Sequence, residues 1–319
     1  MNSSITRRGV LAAAGALGAT VAAGATTIPA AADTAAGAQP GGRPRGRPVV
    51  GRVRGPAIHV MSFNIRYDRE GATQPGDADY WPEREPLVTE FLELEQPSLL
   101  GVQEAEFHQL TAIGKGLGRH HEMVGYGRGG GAAGEYSAIF YDTRRFTVLW
   151  WDQFWLSDTP QVIGSATWGN TVTRIVTWAR LRDARTGRDL LFANSHFDHR
   201  SENARVRSAE VVRDLAADSG LPVLFTADCN AAAENSEPYD VLVTDGGLQD
   251  TWLAGERLTP RAGTFPNYGE PDPNGTRIDW ILASPEWDVR YAAINTWTSA
   301  AGRWPSDHTP VQAVVRLEA

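Results

Sequence analysis

Five short polar motifs, each closing an apolar run, constrain this chain more than any other feature. They are Phe63-Asn64, Gln103-Glu104, Asn194-Ser195-His196, Asp228-Cys229-Asn230 and Ser306-Asp307-His308. Short apolar runs of about 5–6 residues have the length of buried strands. Polar residues that end them fall at strand ends, where loops on a rigid sheet gather chemistry. The motifs lie far apart in sequence, so a fold that unites them draws on nearly the whole chain. Their side chains offer oxygen ligands for a hard divalent cation, together with candidates for a base and an acid. That inventory suits in-line attack of water on a phosphate ester.

Periodicity supplies the frame. Ile58 to Asn64 alternates as a strand, with Met61 and Phe63 on one face and Val60, Ser62 and Asn64 on the other. Leu99 to Glu104 is a short buried strand. Ser137 to Tyr141, Phe146 to Trp151, Thr171 to Leu181, Leu190 to His196, Val223 to Cys229, Ile278 to Ala283 and Pro310 to Leu317 also read as strands. Helices are expected over Pro86 to Glu95, Phe107 to Leu117 and Ser201 to Ala217. The last carries a stripe of Val206, Ala209, Val212 and Leu215 and a stop at Gly220. Strands outnumber helices, and helices separate some of them, which predicts an α/β or α+β sandwich of two packed sheets with helices outside.

Each motif alone has an ordinary structural explanation. Glu104 would suit an ion pair as well as a metal, because a buried acid needs one or the other. A lone histidine such as His196 is more often structural than catalytic. Asp228 and Asn230 are good turn formers, and Ser306-Asp307 a good cap. Asp279 sits among Ile278, Trp280, Ile281 and Leu282, where an unpaired charge is costly, so it requires a partner. Needing every ordinary explanation at once is improbable.

The N-terminus reads as an address. Arg7-Arg8 precedes a weakly hydrophobic Ala/Gly-rich stretch and an Ala-rich cleavage site, the pattern of a twin-arginine export signal over residues 1–32. Residues 33–56, rich in Ala, Gly, Pro and Arg, are expected to form a disordered leader. The catalytic domain is then 57–319, secreted or held at the cell envelope. The net charge is −8 from 30 Lys+Arg against 38 Asp+Glu. Losing Arg7 and Arg8 makes it −10, and setting aside the leader's five Arg and one Asp leaves −14 for the domain. So acidic a surface lacks the cationic face that dominates affinity for long nucleic acids. The single Cys229 excludes an internal disulfide, and its place opposite Asp228 and Asn230 on a strand assigns it to the core. No membrane-spanning segment is expected in the mature chain, and a monomer is.

Beyond these readings, the motifs resemble those of the endonuclease/exonuclease/phosphatase superfamily. The matching segments are Met61-Ser62-Phe63-Asn64-Ile65-Arg66, Gly101-Val102-Gln103-Glu104, Asn194-Ser195-His196-Phe197-Asp198-His199, Ala227-Asp228-Cys229-Asn230, Arg277-Ile278-Asp279-Trp280-Ile281 and Ser306-Asp307-His308-Thr309-Pro310-Val311. Glu135 to Tyr141, Phe154 to Ser157, Thr173 to Ala179 and the doubled His196/His199 are similar to an exported bacterial branch.

The resemblance implies a four-layered α/β sandwich and hydrolysis assisted by Mg²⁺ or Mn²⁺. It implies Glu104 as principal metal ligand, helped by Asn64 and Asp307. Asp228 would orient or deprotonate the attacking water, with Asn230 fixing that water or a phosphoryl oxygen. His308, held by Asp279, would donate to a nonbridging oxygen, and His196 would contact the scissile phosphate. Arg174, Tyr136 and His199 are the candidates for substrate binding. Arg66 stands where some nucleases of the superfamily carry a second acid, which weakens the expectation of a second metal site. The expected function is an exported phosphodiesterase or phosphatase on a small or surface-displayed phosphoester, such as a sugar, inositol, glycerol or nucleotide phosphate. An extracellular nuclease and a non-catalytic carbohydrate- or partner-binding module on the same fold are the alternatives.

Overall fold

A computed structural model describes residues 46–317. The expected export signal lies outside them, as does the leader through residue 45. In β1 (Ile58–Asn64), alternate side chains serve two different cores. Ile58 and Val60 join Leu181, Phe192 and Leu224, whereas Met61 and Phe63 join Phe91, Leu92 and Ile113. Successive side chains of a strand point to opposite faces, so the expected two-faced pattern is what the strand shows.

After β1 come α1 (Trp81–Glu95), β2 (Leu99–Gln103), α2 (Leu110–Leu117), β3 (His121–Val124), β4 (Ile139–Asp142) and β5 (Phe146–Trp155). The chain continues through β6 (Ile175–Asp183), β7 (Asp189–His196), α3 (Glu202–Ser219) and β8 (Val223–Asp228). Short turns of helix and the two-residue strands β9 (Gln249–Asp250) and β10 (Glu256–Arg257) lead to β11 (Asp279–Ala283), β12 (Trp287–Ile294) and β13 (Val311–Leu317). One sheet has the order β10-β12-β13-β1-β2-β4-β3, the other β5-β6-β7-β8-β11-β9. The core around Val60, Phe192 and Ile281 lies between them. Helices α1 and α2 pack outside the first sheet on Phe63 and Leu100. Helix α3 packs outside the second, burying Ala204, Ala209 and Val212 with Phe225 and Trp280. This is the expected four-layered α/β sandwich.

At the centre the sheets approach closely. A Cβ on Gly101 of β2 would stand 2.0 Å from Thr226 Oγ1 and 2.6 Å from Asn194 Oδ1, so only glycine fits. Asn194, buried on β7, donates through Nδ2 to the carbonyls of Val102 (2.8 Å) and Ala138 (3.0 Å). Its Oδ1 accepts from Gln103 Nε2 at 2.7 Å and from Thr226 Oγ1 at 3.0 Å. A fully satisfied amide thus pins one sheet to the other, and truncating it would cost about 1–3 kcal/mol for each partner left unpaired. Asn194 therefore acts inside the sandwich and not in the cleft.

Several details differ from the sequence expectation. Helix α1 begins at Trp81, not Pro86, because Pro82 fits the first helical turn, where its missing N–H costs nothing. Helix α2 begins at Leu110, not Phe107, and β6 at Ile175, not Thr171. Strands β3, β9 and β10 are short, and β12 alternates over Trp287 to Tyr291; the expectation included none of the four. The leader is not structureless up to residue 56. The backbone N–H groups of Val49, Val50 and Gly51 donate to the Glu95 carboxylate at 2.6, 3.1 and 3.0 Å. Glu95 is fully buried and also accepts from Asn295 and Gln312. A buried carboxylate needs donors of this kind, and composition cannot register a segment ordered by a distant acid. Helix α3 matches closely: Ser201 caps it by accepting from the Ala204 N–H, and Gly220 ends it in the left-handed region. Cys229 is buried in the α3-side core, as expected.

Candidate active site

Two parallel strand pairs aim their carboxyl ends at one place. β1 and β2 run parallel, ending with Asn64 opposite Gln103. β7 and β8 run parallel, ending with His196 opposite Asp228. Antiparallel β11 begins there, with Asp279 opposite Asp228. The loop before β13 is tied in by Ser306 Oγ, which donates to the Asn64 carbonyl at 2.7 Å. Four motifs therefore converge because the strands they end point one way, and the fifth, Ser306-Asp307-His308, joins them from the loop that enters the antiparallel β13. Backbone strain marks the same place: Arg66, Glu104 and Asn230 all have positive φ (60°, 65° and 48°) without being glycine.

Asn64 stands between two acids. Its Nδ2 donates to Glu104 Oε1 and to Asp228 Oδ2, each at 2.9 Å. Its Oδ1 accepts the Arg66 N–H at 3.0 Å, which fixes the amide orientation. Asn64 thus turns N–H groups towards the acids, where its expected role had been an oxygen ligand. Glu104, Asp228 and His308 each bring a ligand atom within 4.8 Å of the others. Asp307 is not in that trio; its Oδ2 lies 3.5 Å from Arg66 Nε. The same guanidinium lies 3.6 Å from Glu104 Oε2 and 3.4 Å from Asp79 Oδ2, a fixed cation beside the acids.

Electrostatics follow from burial. Asp228 is pushed up to about 7, first by desolvation and then by the charge of Asp279, against the pull of His308 and Asn64. Asp307 is raised by burial and by Glu104. His308 resists burial and stays protonated because Asp279 and Asp228 flank it, with Nδ1 2.9 Å from Asp279 Oδ2 and Nε2 3.7 Å from Asp228 Oδ2. Burial also pushes Glu104 up, but His308, Asn64 and Arg66 outweigh it and leave the carboxylate lowered.

These residues fit a divalent cation. Glu104 and Asp228 are hard oxygen donors in reach of one another. Mg²⁺ typically takes one or two carboxylates and fills the rest of its shell with water and substrate phosphate. A protonated His308 is a donor to an anion and not a ligand, so Glu104 would be the principal ligand, with Asp228 facing water beside the ion.

His196 has a different environment. Its Nε2 accepts from Asn230 Nδ2 at 3.0 Å, and the same amide nitrogen donates to the Phe197 carbonyl at 3.1 Å. That pairing assigns the proton to Nδ1, which has no partner. Burial, with Arg174 and Arg128 nearby, drives His196 well below its ordinary value, so the ring is neutral. Arg174 is almost fully buried, with Nη2 3.1 Å from His199 Nδ1, Nε 3.7 Å from Asp198 Oδ2 and Nη1 without a hydrogen-bond partner. His199 itself is exposed. Tyr136 is buried, and its hydroxyl donates to the Gly131 carbonyl at 3.0 Å. It supports a loop and offers no hydroxyl to a ligand.

Sequence reasoning missed several residues of the cleft. Arg84 is completely buried and donates to the carbonyls of Ile65, Arg66, Tyr67, Asp79 and Pro305, fixing the loop after β1. Arg128 and Glu135 form a bidentate pair beside His196. An isolated Arg in a helix, or an Arg in a Gly-rich loop, carries no sequence signal of such a role.

Residues 61–308 match the model of the Endonuclease/Exonuclease/phosphatase family. The chain belongs to that family. Members are phosphoester hydrolases that depend on a metal, and the converging acids and imidazoles accord with membership. An endonuclease/exonuclease/phosphatase of Bacteroides vulgatus is similar at 29% identity, covering 82% of this chain and 99% of that one, with a TM-score of 0.75. A family protein of Bacteroides thetaiotaomicron is 33% identical over 82% of this chain and 95% of its own (TM-score 0.73). A mannosyl-6-phosphatase of Bacteroides thetaiotaomicron is 33% identical over 81% of this chain and 99% of its own (TM-score 0.72). No curated protein matches the chain.

Proposed function

We propose that this protein is an exported, Mg²⁺- or Mn²⁺-dependent hydrolase of a small or surface-displayed phosphoester, with a sugar phosphate the preferred class. One observation carries the reading: Asp228, raised to about 7, is held by the Asn64 amide and the Asn230 N–H between a neutral His196 and a protonated His308. A carboxylate poised near neutral pH suits the removal of a proton from attacking water. His308, kept charged by Asp279, stabilises negative charge on a nonbridging phosphoryl oxygen. Arg174 Nη1, which has no hydrogen-bond partner, donates to the esterified phosphate. A bound divalent cation would polarise the phosphoryl group and offset its charge.

The small-substrate preference rests on the acidic domain, which with Arg47, Arg52 and Arg54 of the ordered segment carries 26 Lys+Arg against 37 Asp+Glu, net −11, and repels long nucleic acids. The similarity to a mannosyl-6-phosphatase supports a sugar phosphate. Export rests on the Arg7-Arg8 pair and its Ala-rich follow-on. Purified protein is to be assayed on p-nitrophenyl phosphate, bis-p-nitrophenyl phosphate, plasmid and RNA, with Mg²⁺ or with EDTA. Metal-dependent turnover of the small esters and little of the polymers is expected; rapid plasmid cleavage would favour a nuclease instead. For export, changing both Arg7 and Arg8 to Lys should retain the chain inside the cell on fractionation.

A further inference from the structure

Beside His196, away from Asp228, the surface recedes into a shallow, solvent-open pocket lined by Arg128, Glu135, Tyr136, Thr173, Arg174 and His196. Its enclosed part is the size of about one water, which matches a single hydroxyl oxygen with the rest of a ligand lying in the open mouth. The proposed reaction accounts for Arg174 and His196 but leaves Arg128 and Glu135 without a task. The pair is rigidly held. Arg128 donates to both Glu135 oxygens (2.8 and 2.6 Å), its backbone N–H to the Glu135 carbonyl at 2.9 Å, and its carbonyl accepts from Trp155 Nε1 at 2.8 Å.

Glu135 Oε2 lies 4.0 Å from His196 Nδ1, too far for a hydrogen bond between them. One hydroxyl oxygen can sit about 2.8 Å from both, with an angle of about 90° between the contacts. It would donate to the carboxylate and accept from the imidazole N–H, using both capacities of an alcohol. An ester oxygen or an aromatic edge has no proton to give the carboxylate. Arg174 Nη1, buried and without a hydrogen-bond partner, supplies a donor for the neighbouring anion. Tyr136, the pocket's aromatic residue, is buried with its hydroxyl engaged, so it offers no open face for stacking a base.

We propose that the Arg128–Glu135 pair determines specificity by reading hydroxyl groups on the leaving alcohol, so that the ester hydrolysed is that of a polyol such as a hexose. The inference rests on the proposed phosphoester hydrolysis and names the substrate's other half. Hydrogen bonds to charged groups contribute about 1.5–3 kcal/mol, which corresponds to roughly 10- to 150-fold in affinity.

The test compares hexose 6-phosphate with n-hexyl phosphate, which has the same carbon count and one free phosphate but no hydroxyls. The native protein should favour the hexose ester at least tenfold in kcat/KM, chiefly through KM. Glu135→Gln and Arg128→Lys should each cut that ratio at least tenfold. Equal handling of the two esters by the native protein overturns the proposal whatever the variants do, and so does a ratio unchanged in a folded variant. If the native protein hydrolyses neither ester, the proposed function fails separately. The inference is then read from calorimetric binding of hexose 6-phosphate: weaker binding by Glu135→Gln sustains it, and equal binding overturns it.

Discussion

His308 Nδ1 lies 2.9 Å from Asp279 Oδ2, and the pair joins the loop before β13 to the first residue of β11. Asp279 faces Asp228 across β8 and β11, so a single imidazole answers two carboxylates. Replacing Asp279 by Asn keeps shape and removes charge. His308 is raised because Asp279 and Asp228 oppose its burial, so its value should fall in the variant. The alkaline limb of the kcat/KM profile should move to lower pH, with a loss of about 10²-fold or more near neutrality. An unshifted limb would remove His308 as the charged donor.

Glu104 should bind Mn²⁺ or Mg²⁺ in the absence of substrate. Saturating metal at about 100 times Kd stabilises a folded protein by about 3 kcal/mol. Differential scanning calorimetry should show that rise in the native protein and its loss in Glu104→Gln. Full retention in the variant would contradict the ligand assignment.

The clasp on Glu95 gives a prediction remote from catalysis. Deleting residues 1–51 removes three N–H donors from this buried carboxylate. A loss of about 3 kcal/mol is expected, lowering the melting midpoint by about 5 °C for a chain of this size. An unchanged midpoint would show that the segment contributes nothing.

His59 makes stability depend on pH. It is fully buried and lowered from 6.5 to about 4, by desolvation first, with Glu95 opposing. Its Nδ1 donates to the Gly51 carbonyl and its Nε2 accepts from Gln312, the pattern of a neutral ring. Between these values the unfolded chain takes up a proton that the native chain refuses, so stability is complete above 6.5 and falls as pH drops towards 4. The decline should reach about 3 kcal/mol. Urea midpoints measured across that range should fall in the native protein and fall less in His59→Gln.

How far the sequence revealed the molecule depended on whether a residue's role was local. Alternation along β1 and the cap and stop of α3 are set by near neighbours, and both were legible. The polar ends of β1, β2, β7 and β8 were legible too, because a polar residue closing a buried run must emerge at a sheet edge. Partnerships were not. Nothing near Asn64 says that Glu104 and Asp228 will meet its amide nitrogen, since both are brought there by other strands. Asn194, read as part of a motif, proved to pin the sheets together, a role fixed by Gly101 and Thr226 from other strands. Arg84, Glu95 and the Arg128–Glu135 pair are defined by partners brought in by the fold, so sequence spacing gave no sign of them.

Anomalous diffraction from a crystal soaked with Mn²⁺ and phosphate tests the central claim most directly. The account predicts one strong peak at about 2.0–2.3 Å from a Glu104 oxygen and close to Asp228, with phosphate oxygens reaching towards His308 and Arg174. A peak elsewhere, or phosphate bound away from His308, would contradict it.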